Sequence, residues 1–171
     1  FSSSNIGTTS MDIAWTNGNG DNTLVVARAG SAVNADPTSG STYTADAAFG
    51  NGSQIGTGNY VVYNGTGSAV SVTNLISSTT YHYAVYSYNS TDNCYNLTEL
   101  TGNATTTGPE IQLQYPGTNN VACGFTLPFG NVNINNTSDL SYNIKNEGTS
   151  NLEVSSLNIT GTDGGLYTVV S

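Results

Sequence analysis

The residues of this 171-residue chain best suited to chemistry are few: one histidine, His82, and two cysteines, Cys94 and Cys123. A zinc site needs several imidazole or thiolate ligands that converge. His82 has no second histidine and no paired thiols to join it, and it stands in the alternating run Tyr81-His82-Tyr83-Ala84-Val85. It is read as an exposed strand residue. Ser and Asp are plentiful, yet no Ser sits in the glycine frame of a nucleophile elbow. No catalytic residue, metal or cofactor is assigned on this basis.

Asn17, Asn19 and Asp21 have the i, i+2, i+4 spacing of an oxygen-rich calcium loop. Only one of them is charged, and no bidentate Glu follows at the required distance. Their setting in Asn17-Gly18-Asn19-Gly20 favours a hairpin turn, where both residue types accept positive φ. Cys94 and Cys123 raise the question of a disulfide. Strands of about eight residues would hold the two at opposite poles of a domain, roughly 25 Å apart, whereas bridged Cα atoms lie within about 7 Å. Two separate thiols are expected, with Cys123 partly buried in a strand. Asn-X-Ser/Thr sequons occur at Asn51, Asn64, Asn89, Asn96, Asn103, Asn135, Asn136 and Asn158. With 23 Asn and 45 Ser plus Thr, chance alone supplies about six, and the motif marks an acceptor only in a glycosylating secretory system.

The aromatic pattern is more informative. If Tyr81, Tyr83 and Val85 point inward, His82, Tyr86 and Tyr88 point outward. Tyr rings on a flat sheet stack on sugars or on a partner protein, so these three residues form a candidate binding face. Cross-strand packing, or coverage by the segment 29–59, is the competing reading.

The chain must position these residues with very little charge: 8% of residues are charged, and the formal net charge is −9, with Arg28 and Lys145 the only Lys or Arg. Two cations cannot form the basic patch that displaces counterions from nucleic acid, nor one that holds an anionic membrane surface. The acidic residues are scattered, as suits solubility. No stretch approaches the roughly 20 apolar residues of a membrane helix, so no membrane insertion is expected. There is no initiating Met and no signal segment, and the chain is expected to be an internal piece of a longer, secreted, extracellular protein.

Period-two alternation recurs throughout, which argues against disorder. Met11, Ile13 and Trp15 alternate with polar or small residues; Leu24-Val25-Val26-Ala27 and Tyr60-Val61-Val62-Tyr63 are short apolar runs; Val70 and Val72 alternate again. Asn-Gly clusters at 17–20, 51–52 and 64–67 separate them. Many short strands at near-regular spacing predict an all-β sandwich. Residues 29–59 are a long Ala/Gly/Ser/Thr-rich connection, expected to carry short edge strands. Thr105-Thr106-Thr107-Gly108-Pro109 ends the first pattern, and Glu110 to Gln114 begins a second.

Residues 1–107 resemble the fibronectin type III family. Trp15 matches its strand-B tryptophan, and Leu75-Ile76-Ser77-Ser78-Thr79-Thr80-Tyr81 resembles its leucine, turn and tyrosine corner. In such a corner the Tyr ring is buried while its hydroxyl bonds a nearby backbone group. Trp15, Leu75 and Tyr81 are thereby the expected core hallmarks. The runs 27–33 and 56–67 resemble a subtype of large bacterial surface and secreted proteins exported by the type IX pathway. Residues 109–171 are similar to the choice-of-anchor D family and its Hydin-type immunoglobulin-like relatives, through Phe129-Gly130-Asn131-Val132, Leu140 to Gly148, and Leu152 to Ile159.

The resemblance implies two tandem immunoglobulin-like β-sandwiches, the second incomplete. Its strands are expected around Ile111, Cys123 to Leu127, Leu140 to Lys145, Leu152 to Ile159 and Tyr167 to Val170, fewer than the seven of a full sandwich. The function implied is a non-catalytic structural or adhesive repeat of a large bacterial cell-surface or filament protein. Its partners would be neighbouring domains of the same longer chain or polymer subunits, and glycans. The alternative is an accessory, carbohydrate-binding module of a secreted multidomain enzyme.

Overall fold

The computed structural model describes residues 1–122, 124–126, 130–148, 150–158, 165 and 167–169. They fall into two compact units, 1–108 and 109–171. The junction lies where the Thr-rich stretch ends at Gly108-Pro109. Among the described residues there is no α-helix, so the chain is all-β.

In the first unit, β1 (Ser2–Ser4), β2 (Met11–Ala14) and β5 (Ala69–Val72) form one antiparallel sheet in the order β1-β2-β5. The larger sheet runs β4 (Asn59–Gly65), β3 (Asn22–Ala29), β6 (Thr80–Asn89). Along the far edge of β6 lie β8 (Leu100–Thr105), opposite Thr80 to Val85, and the two-residue β7 (Cys94–Tyr95), opposite Tyr88 and Asn89. The alternation read from the sequence sorts the side chains. Met11 and Ile13 of β2 and Val72 of β5 meet Val25, Val62, Tyr81, Tyr83 and Val85 of the larger sheet, with Trp15 and Leu75 at the ends. Trp15, Leu75 and Tyr81 are all buried. The Ile76 N–H donates to Tyr81 Oη at 2.9 Å, so the tyrosine corner is formed.

The larger sheet is apolar on its other face too. Leu24, Val26, Val61, Ala84, Tyr86, Tyr88 and Tyr95 form a second buried cluster, packed against Ile55, Val33, Ala35, Tyr43 and Ala45 of the 29–59 connection. This explains the unbroken run Leu24 to Ala27: a strand buried on both faces has no polar side to alternate with. The connection does not carry the expected edge strands. It forms only isolated bridges, Ala48 with Thr73 and Gln54 with Tyr60. Its backbone nevertheless pairs with both neighbouring edges, Ala47 and Phe49 with Thr73 beside β5, and Ser53 and Ile55 with Val61 and Asn59 of β4.

The Asn-Gly clusters differ from expectation as well. Residues 15–21 and 66–68 are not hairpin turns; each carries the chain from one sheet to the other. Gly18, Gly20, Gly65 and Gly67 do not adopt positive φ. Their lack of a side chain serves close approach: a Cβ at Gly20 would overlap the Tyr88 backbone, and one at Gly18 would lie 2.6 Å from Ser87 Oγ.

In the second unit, β9 (Ile111–Gln114) lies between β10 (Asn120–Val121) and β11 (Asn143–Asn146) in one antiparallel sheet. No second sheet faces it among the described residues. Leu152 to Asn158 and Tyr167 to Val169, expected as strands, are not in strands, and Phe125 lies outside any strand. Cys123, Leu127, Phe129, Ile159 and Val170 lie outside the described residues. Of the described residues here, only Gln114 is buried; Ile111, Leu113, Phe125, Ile134, Val154 and Val169 are exposed.

Candidate functional site

The outward face of β3, β4, β6 and β8 carries the residues singled out from the sequence, and the structure divides it in two. Tyr86 and Tyr88 do project away from the sandwich core, opposite to Tyr81 and Tyr83. They are not a stacking platform, because the 29–59 connection lies over them; Tyr86 is 1% exposed and Tyr88 5%. Of the two readings drawn from the sequence, the open Tyr86–Tyr88 face is therefore corrected, and coverage by the 29–59 segment is what the structure has.

Each tyrosine hydroxyl under the cover is spoken for. Tyr86 Oη donates to Asp36 Oδ1 at 3.0 Å, and Tyr95 Oη to the Ser41 carbonyl at 3.0 Å. Tyr88 Oη donates to Asn64 Oδ1 and accepts from Asn22 Nδ2, while Asn64 Nδ2 donates to the Tyr43 carbonyl. Asn59, fully buried, donates to the Ile55 carbonyl at 2.8 Å and to Asn34 Oδ1 at 3.0 Å. Burial pushes the Tyr95 phenol up to about 12, with Tyr88 and Tyr43 adding to the effect. Burial, and then the Asp36 carboxylate, raises that of Tyr86. These bonds hold the cover down on the sheet.

The other half of the face is open. Across the strands runs the row Asn59, Arg28, His82, Asn103, set by the register pairs Arg28 with Asn59, Arg28 with His82, and His82 with Asn103. Arg28 and His82 are partly exposed and Asn103 is exposed. Arg28 Nη1 donates to the Ala32 carbonyl at 3.0 Å. Thr101 lies opposite Ala84, beside the row, and Thr80 and Thr105 share a hydroxyl–hydroxyl bond of 2.8 Å on its other side. Of the three site residues expected from the sequence, His82 alone reaches solvent. Arg28, Asn103 and Thr101 were missed, because a lone Arg and a sequon Asn carry no motif and only the register brings them together.

The remaining candidates are occupied or separate. Asp21 accepts the Ser90 N–H at 2.8 Å and the Ser90 hydroxyl at 2.7 Å, which lowers its carboxyl below the ordinary value. It staples the turn after β6, with Asn17 turned towards the Thr66 carbonyl and Thr23. Cys94 is an exposed free thiol in β7. A cleft of about 100 Å³ opens among Thr16, Thr23, Ser87, Asn96, Thr98 and Leu100. That is room for ordered water, well short of the roughly 300 Å³ from which ligand pockets begin.

Neither a protein-family model, nor a curated protein, nor a solved structure matches this chain.

Proposed function

We propose that this chain is a non-catalytic structural and adhesive module of a large extracellular bacterial surface or filament protein. The observation that carries the reading is the closure of the first unit. Its larger sheet is buried on both faces, and the 29–59 connection pairs with the edges of β4 and β5. A sandwich with a third layer tied down by tyrosine hydroxyls has few places where a protease or a pulling force can start. The two sheets and the formed Tyr81 corner support the fibronectin-type-III-like reading of residues 1–107.

The reading of residues 109–171 as part of a further immunoglobulin-like domain is supported by their exposed apolar side chains. A second layer from the same longer polypeptide, or a strand from a neighbouring subunit, would cover them.

Limited digestion with a protease of broad specificity tests the spacer reading. A resistant fragment spanning residues 1–108, with residues 33–55 uncut, is the expected result. Early cleavage within 33–55 would show the third layer to be a loose loop and remove the main support.

A further inference from the structure

We propose that the open half of the outer sheet face, the row Arg28–His82–Asn103 with Thr101, binds a sugar that carries a single carboxylate, of the uronic-acid class. This goes beyond the spacer reading, which stands or falls without it.

The row crosses three neighbouring strands of one sheet. Adjacent strands are about 4.8 Å apart, so three strands present side chains over about 10 Å, the width of one or two pyranose rings. The groups on it are not used up inside the protein. An Arg has five N–H donors, and Arg28 gives one to the Ala32 carbonyl; among the described residues no carboxylate is paired with it, whereas Lys145 is paired with Glu147 at 2.8 Å. The ring nitrogens of His82 and the amide of Asn103 have no protein partner among the described residues. This contrasts with Asn22, Asn34, Asn59 and Asn64 on the same side of the sandwich, each hydrogen-bonded within the fold.

Charge selects the ligand. Arg28 is a planar donor fork that suits one carboxylate held bidentately. It is also an isolated cation on a chain of net charge −9. A densely charged polymer, whether nucleic acid or sulfated glycan, would meet one favourable group and general repulsion. A carboxylate set among hydroxyls would not: the acid meets Arg28 and His82, and the hydroxyls meet Asn103 and Thr101, whose amide and hydroxyl both donate and accept.

The single histidine gives the test a clean reporter. The imidazole C–H resonances of the full chain, produced without glycosylation, are followed by proton NMR during titration with glucuronate, glucose and acetate. Glucuronate is expected to shift them saturably, with glucose and acetate much weaker. Arg28→Gln should weaken glucuronate binding roughly tenfold, the scale of a lost charge-assisted hydrogen bond. Because Arg28 also ties down Ala32, Asn103→Ala serves as the second variant. It removes an exposed side chain with no internal bond, and should weaken glucuronate while leaving the melting temperature unchanged. No shift with glucuronate would overturn the proposal. A shift with acetate equal to that with glucuronate would also do so, since it would reduce the row to a general anion contact. Either failure leaves the protease-resistance result untouched.

Discussion

At the scale of single residues, the tyrosines of β6 do different work on its two faces. Tyr81 closes the corner of the inner core, and Tyr81→Phe removes only the acceptor for the Ile76 N–H. A loss of about 1 kcal/mol in denaturant unfolding is expected. Trp15→Ala, which empties a core position, should cost about 3–5 kcal/mol. The raised phenols add a pH dependence of known sign. An unfolded tyrosine ionises near pH 10, while Tyr95 in the folded protein holds its proton up to about 12. Below pH 10 both states are protonated and the contribution to stability is complete. Between about 10 and 12 only the unfolded state ionises, so stability falls as pH rises. Melting temperatures at about pH 9 and 11 check this: a clear drop is expected, smaller in Tyr95→Phe, and an unchanged value would contradict the burial of these hydroxyls.

At the scale of elements, much of the first unit was legible. The runs at 11–15 and 70–72 mark strands by the period-two alternation that follows from the pleat, and the short apolar runs at 24–27 and 60–63 mark strands buried on both faces. The role of the outer face was not legible from β6 alone, since Tyr86 and Tyr88 fit a binding platform as well as cross-strand packing or coverage by the 29–59 segment. The deciding signal stood in the neighbouring strand. Leu24 pairs with Tyr86, and Val26 with Ala84; apolar side chains on that face of β3 are out of place on a solvated sheet. The cover itself was illegible as structure because its pairing is non-local and single-bridged, without the alternation that announces a strand. The glycines were misread for a related reason: close approach of Gly20 to Tyr88 depends on a contact 68 positions away in the chain. Two variants test this level. Gly20→Ala should destabilise the unit measurably, since the β6 backbone must shift. Tyr86→Ala/Tyr88→Ala should leave the chain unfolded or aggregated, because two large core truncations of about 3–5 kcal/mol each rival the whole stability of a domain. A stable double variant would place the two rings outside the core.

At the scale of the molecule, the two units differ in kind. The first hides its apolar surface in two clusters, whereas the described part of the second shows one three-stranded sheet with its apolar side chains exposed. On the proposed reading, the first is the part that would bear load on its own. Its central feature is that the 29–59 connection is a structural layer, so the unit should yield as a whole. Single-molecule pulling on the full chain measures this most directly. One cooperative event is expected for the 108 residues of the first unit, lengthening the chain by roughly 35 nm at about 3.5 Å per residue. Lengthening in two or more separate steps that sum to this value would contradict the account.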